Sequence, residues 1–234
     1  MERLQAVNIA GSYGRRRVLS DVNLAVGAGQ CAAVIGTNGC GKSTLLNILA
    51  GLKKPDGGEV YFDGSLAAGQ HAMRQGRKLF MSYVGYVPQE SNLIPELNVM
   101  DNLRLWYRDA DALRRGLTQG FLHELGIDEM CHLKAGKLSG GMKKRVSIGC
   151  ALAGDPPILI LDEPDAALDL PGKADIRRYL GMYKQLGGTI LLATHDETDL
   201  DICDKVFVLN RGVSRETDRT LRGEVLVKQM KNEE

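Results

Sequence analysis

Nine consecutive residues, Gly36, Thr37, Asn38, Gly39, Cys40, Gly41, Lys42, Ser43 and Thr44, match the pattern GxxxxGK[ST] at every fixed position. Glycines at 36, 39 and 41 let the backbone turn its N–H groups inward as a concave nest. A helix expected from residue 43 to residue 50 adds partial positive charge at its N-terminus, aimed at the same point. A polyphosphate suits that geometry. Lys42 is expected to reach the β- and γ-phosphates as a point charge, Ser43 to ligate Mg²⁺ through its hydroxyl, and Thr44 to support the α-phosphate.

Two carboxylates, Asp162 and Glu163, follow the apolar run Ile158, Leu159, Ile160 and Leu161. Adjacent acids after a strand are ordinarily a solvated turn. The apolar run and the upstream phosphate loop reverse that reading, and the two groups can take different tasks. Asp162 is expected to hold Mg²⁺ through its water shell, while Glu163, pointing elsewhere, polarises an attacking water. A third cluster, Ser139, Gly140 and Gly141, bares N–H groups where another helix begins, with Ser139 as its N-cap. This is a second anion site, and one γ-phosphate is not easily enclosed by both sites of a single chain.

The elements that must carry these groups read as follows. Residues 4–9 and 18–26 suit antiparallel strands, the second turning Val22, Leu24 and Val26 inward. Strands are expected at 30–35, 59–63, 84–87, 158–161, 189–194 and 206–209. The strand at 158–161 is expected to be buried on both faces. Helices are expected at 98–107, 112–125, 140–153 and 173–186; the first presents Val99, Leu103 and either Trp106 or Tyr107 on one face. Strands alternating with helices imply an α/β sheet with ligands at the carboxyl ends of its strands.

With Leu138 in front, the third cluster reads Leu-Ser-Gly-Gly-Met, and here the chain resembles the ATP-binding cassette (ABC) family. The family's signature is usually written LSGGQ, so Met142 replaces the glutamine, and a thioether cannot donate as an amide does. The other landmarks stand in family order: Tyr13, Gln89 after Val-Pro, Asp169 in Ala-Leu-Asp, and His195 after the strand at 189–194. The resemblance covers nearly the whole chain. It implies an α/β P-loop NTPase core with a mostly parallel central sheet, an N-terminal antiparallel β-subdomain and an inserted α-helical subdomain. The expected division is one domain, 1–234, in which 1–89 and 154–234 form the catalytic core with the β-subdomain and 90–153 form the helical signature subdomain.

It further implies Mg²⁺-dependent hydrolysis of ATP, with Tyr13 stacking on adenine. Gln89 would offer its amide oxygen to Mg²⁺ or the water, and His195 would hydrogen-bond the γ-phosphate and fix Glu163. Two cassettes, identical or paralogous, would pack head to tail, so that Ser139, Gly140 and Gly141 of one face the γ-phosphate held by Lys42 of the other. Asp169 would work across that interface. Cys40 is read as a small loop residue, although a thiol beside an anion nest can have a lowered pKa.

Composition narrows the remaining choices. The 234 residues carry 30 basic and 29 acidic side chains, a net charge of +1, so no global footprint for nucleic acid exists. The runs at 15–17 and 143–145 read as solvated faces. Five cysteines without a CxxC spacing argue against a disulfide framework or a zinc site and suit a reducing cytosol. The N-terminus lacks a signal-like apolar block, no segment approaches a membrane span, and the tail at 228–234 looks frayed.

A membrane role therefore needs a partner chain: a separate transmembrane permease, with this chain peripheral on the cytoplasmic face. The segment Leu93, Ile94, Pro95, Glu96, Leu97, Asn98, Val99 resembles that of exporter cassettes, so export is expected. In family members this region meets the membrane subunit. The competing class is a soluble cassette that powers assembly, such as the iron–sulfur cluster type.

Overall fold

The computed structural model describes residues 2–69, 75–166 and 168–231. The chain opens with two long antiparallel strands, β1 (Glu2–Tyr13) and β2 (Arg16–Gly27). Val22, Leu24 and Val26 point into the core as their period-2 spacing requires. Then come β3 (Cys31–Ile35), α1 (Lys42–Leu49), β4 (Gly57–Phe62), β5 (Ser65–Ala68), α2 (Gln75–Tyr83) and β6 (Val84–Val87). A helical stretch follows: α3 (Val99–Arg104), α4 (Ala110–Gln119), α5 (Phe121–Glu124) and α6 (Gly140–Ala151). The chain returns through β7 (Ile158–Asp162), α7 (Leu170–Gln185), β8 (Thr189–Ala193), β9 (Lys205–Asn210), β10 (Val213–Thr217) and α8 (Gly223–Lys231).

The strands form one ten-stranded sheet in the order β5-β4-β1-β2-β10-β9-β3-β8-β7-β6. The stretch β9-β3-β8-β7-β6 is parallel, and β1, β2, β4 and β5 are antiparallel. β10 joins the two parts, pairing with β9 on one side and with β2 through Val213 and Asp21 on the other. The expected fold class is the one observed.

β7 explains how a parallel strand is held. Leu159 and Leu161 enter the apolar cluster packed with α6 and α7, while Ile158 and Ile160 enter the opposite cluster with α1. Neither face meets water, which is why the sequence shows a continuous apolar run instead of alternation. β3 divides in the same way, Ala33 and Ile35 to one side and Ala32 and Val34 to the other. Because β3, β8, β7 and β6 run parallel, their carboxyl ends share one edge. Residues 36–44, His195, Asp162 with Glu163, and Gln89 all leave the sheet from that edge.

Some expected elements differ. The helix expected over 112–125 is two helices, because Gly120 adopts φ −109° and ψ −165° and breaks the ladder between α4 and α5. Of the two aromatics offered for the face of α3, Tyr107 packs inward, its hydroxyl donating to the Gly149 carbonyl at 3.1 Å; Trp106 stays exposed. The tail expected to fray is helical as far as Lys231, since Leu226 is buried and the Asn210 amide donates to the Met230 carbonyl at 2.7 Å. Residues 232–234 lie outside the described residues.

Candidate nucleotide site

The loop at 36–44 fills the gap between β3 and α1 with its backbone. Two of its glycines are sterically required. A Cβ on Gly36 would strike the Leu209 carbonyl oxygen, and Gly41, the N-cap of α1, has φ 113° with Leu19 and Val18 against it. Lys42 is 6% exposed, and its ammonium donates to the carbonyls of Gly36 at 2.9 Å and Thr37 at 3.5 Å, so the charge sits inside the curl of the loop. The Ser43 hydroxyl lies beside the Asp162 carboxylate, close enough to pull its pKa down, and Asp162 is 4% exposed. Burial pushes the Asp162 pKa up, against the pull of Ser43, Lys42 and Lys144, while Glu163 adds to the rise.

A hydroxyl and a carboxylate held together form a hard oxygen set of the kind Mg²⁺ uses with substrate phosphates. Among the described residues no cluster of three or more His, Cys, Asp or Glu could cage a metal without such help.

Beside this pair lies a second constellation. The Gln89 amide nitrogen donates to Glu163 Oε2 at 2.9 Å, and His195 Nδ1 lies 3.4 Å from Glu163 Oε1. The three side chains come from the ends of β6, β7 and β8. Glu163 has φ 47°, a left-handed conformation costing roughly 1–3 kcal/mol in a non-glycine residue. Its N–H donates to the Ala193 carbonyl at 2.9 Å, which ties the strained residue to the neighbouring strand. His195 is 59% exposed and Glu163 far less so, which leaves one side of the pair open.

The remaining expected residues stand apart from this centre. Ser139 caps α6, its hydroxyl accepting from the Met142 N–H at 3.2 Å, with Gly140 exposed and Gly141 half-buried beside it. Asp169 is exposed and caps α7, accepting from the Gly172 N–H at 3.0 Å. Tyr13 is 77% exposed at the end of β1. Among the described residues none of these is hydrogen-bonded to the centre formed by Gln89, Glu163 and His195. Thr37, Asn38, Gly39 and Thr44 remain in the loop and first turn where the motif puts them.

One alternative falls away here and one expectation is corrected. Burial raises the Cys40 pKa despite the opposing pull of Lys42, so the thiol is not activated by the nest. Lys144, read as part of a solvated basic face, is buried at 6% exposure. The run Arg15, Arg16, Arg17 is exposed as expected.

Sequence reasoning also missed Lys173. Its ammonium lies 2.6 Å from Asp196 and 3.5 Å from Asp165, joining α7 to the segments beyond β8 and β7. A lone lysine on a helix gives no signal of this, since both partners are supplied by the fold.

Comparison with known proteins agrees with the geometry. A family model described as "ABC transporter" matches residues 19–166, more than half of the chain. The sulfate/thiosulfate import ATP-binding protein of Pseudomonas aeruginosa is 32% identical over 215 residues, covering 88% of this chain and 63% of that protein. An aliphatic sulfonates import ATP-binding protein of Rhizobium johnstonii is 37% identical, covering 88% of this chain and 74% of that protein. The chain thus spans less than two thirds of the sulfate/thiosulfate relative.

A dimeric ATP-binding cassette solved in a post-hydrolysis state with ADP and Pi superposes with TM-score 0.80 at 32% identity, covering 94% of this chain and 99% of that one. These relatives are named for import, so the export direction expected from residues 93–99 finds no support. Nor is the soluble assembly class favoured, since the relatives carry transporter names. The fold, the phosphate loop and the matches agree: this chain belongs to the ABC transporter family, as an ATP-binding cassette.

Proposed function

We propose that the chain is the ATP-hydrolysing subunit of an ABC transporter and drives a separate membrane-spanning partner. The observation that carries the hydrolytic reading is the convergence of Gln89, Glu163 and His195 beside Ser43 and the buried Asp162. Tyr13 stacks on adenine, and the backbone of Gly36, Thr37, Asn38, Gly39, Cys40 and Gly41 donates to the phosphates. Lys42 leaves its loop carbonyls for the β- and γ-phosphates, and Thr44 supports the α-phosphate. Ser43, Asp162 and Gln89 would hold Mg²⁺, which when bound would offset negative charge on the phosphates. Glu163 accepts a hydrogen bond from the attacking water and polarises it, with His195 fixing its carboxylate and reaching the γ-phosphate.

Ser139, Gly140 and Gly141 complete the site of a second cassette, identical or paralogous, packed head to tail, and Asp169 acts at that interface. The exposure of Ser139, Gly140 and Asp169 at helix starts supports this. The inserted segment 90–153, which among the described residues holds helices between β6 and β7, acts as the helical signature subdomain beside the core formed by 1–89 and 154–234. The permease docks in the groove lined by Met81, Asn92, Leu105, Trp106 and Arg108, next to residues 93–99, placing the chain at the cytoplasmic face of the membrane. No helix among the described residues is long and apolar enough to cross a membrane, which is why the partner is needed. Direction of transport resides in that partner, and the import names of the relatives favour uptake over export.

Glu163→Gln is the test. The variant is expected to bind MgATP with near-normal affinity, lose turnover by a factor of about 10² or more, and accumulate as an ATP-stabilised dimer. Nucleotide titration, phosphate release and light scattering measure the three in turn, and turnover at the parent rate would remove Glu163 from its role.

A further inference from the structure

Helix α6 begins at the Ser139 cap, and Lys144 turns from it toward the sheet. Its ammonium donates to three backbone carbonyls: Pro88 at 3.2 Å, Gln89 at 3.1 Å and Glu163 at 3.4 Å. An ammonium has three N–H bonds, and three acceptors match them. A second contact reinforces the first, since the Ser147 hydroxyl lies one turn along the same face, 3.2 Å from the hydroxyl of Ser91. The helix therefore grips the segment after β6 at three points and the end of β7 at one.

Two features give this arrangement more than a packing role. Two of the three residues whose carbonyls it holds, Gln89 and Glu163, are those whose side chains hydrogen-bond to each other. Glu163 also sits at φ 47°, so it needs external restraint to stay there. The surroundings suit a cation, because Asp162, Glu163 and Asp165 all lie close enough to favour the charged form, although burial outweighs them and lowers the Lys144 pKa.

We propose that Lys144 is a positioning residue, whose three hydrogen bonds keep Gln89 and Glu163 paired and join the Ser139–Gly141 end of α6 rigidly to the hydrolytic centre. A displacement of α6 then reaches Gln89 and Glu163 through one side chain. The inference rests on the role proposed above for Glu163.

The test compares MgATP turnover and MgATP affinity of the full chain with those of Lys144→Met, which keeps the stem and loses every donor, and Lys144→Gln, which keeps N–H donors without charge on a shorter stem. Thermal melting establishes that each is folded. Lys144→Met is expected to lower kcat by about tenfold or more while the Kd for MgATP stays within about twofold. Lys144→Gln is expected to fall between, roughly two- to tenfold below the parent, again with Kd unchanged. A Met variant with parental kcat overturns the proposal, as does parallel loss of kcat and affinity. A Gln variant no better than the Met variant also overturns it, because charge alone would then be what matters. Should Lys144→Met not fold, Lys144→Gln decides: kcat lower by about twofold or more at unchanged Kd supports the proposal, and parental kcat overturns it. Absence of turnover in the parent chain would instead remove the proposed ATPase function, and parental turnover in Glu163→Gln would remove the role on which this inference rests.

Discussion

At the scale of single residues, Asp199 shows how burial sets a pH dependence. It is 2% exposed, accepts from the Thr194 hydroxyl at 2.6 Å, and lies 3.7 Å from the Arg177 guanidinium. Burial pushes its pKa up from 3.8 to about 6. The native state thus holds this proton more tightly than the unfolded chain does. Its stabilising contribution is complete below the unfolded value and disappears as pH rises through about 6. Asp196 has the opposite sign, because the Lys173 hydrogen bond holds it far below the usual carboxylate range and its contribution is lost on acidification. A comparison of variant and parent isolates Asp199. Asp199→Asn, which keeps an acceptor for Thr194, is expected to gain up to about 3 kcal/mol relative to the parent between pH 4 and pH 7 in denaturant titrations. Equal pH slopes would exclude Asp199 as the source.

At the scale of elements, the site depends on cross-links between strand ends and the helices behind them. Lys173 on α7 bridges Asp165 and Asp196, and Asp165 is buried, so removing the lysine leaves a carboxylate without its counter-charge. Lys173→Met is expected to cost about 2–4 kcal/mol, and adding Asp165→Asn is expected to recover part of it, because the stranded charge goes too. Equilibrium unfolding of the four forms measures the coupling; strict additivity would contradict the bridge. Element boundaries show how far sequence reading reaches. β7 and α7 were legible because apolar runs and helical periodicity are local signals. The break at Gly120 was not, because a glycine inside a helical pattern can either continue it or end it, and packing settles which.

At the scale of the molecule, the proposed pairing of two cassettes leaves a groove on each chain for the membrane partner. Met81, Leu105 and Trp106 are exposed where the α2 and α3 regions border that groove. If the permease covers them, Trp106→Glu is expected to leave the turnover of the isolated chain unchanged and to weaken capture of the membrane subunit by about tenfold or more. Unchanged capture on detergent-solubilised partner would move the docking surface elsewhere.

What the sequence by itself determined was whatever depends on neighbours along the chain. The loop at 36–44, the acids after the apolar run and the capped start of α6 could each be read, since a nest, a strand end or a helix cap is built from adjacent peptide units. The tertiary structure alone decided which of these meet. Gln89, Glu163 and His195 converge because β6, β7 and β8 are parallel neighbours, and Lys144 is buried because α6 lies against their ends. Residues far apart in the chain come within hydrogen-bond reach only when the sheet order is set, and that order follows from the packing of two apolar faces, which no single segment encodes.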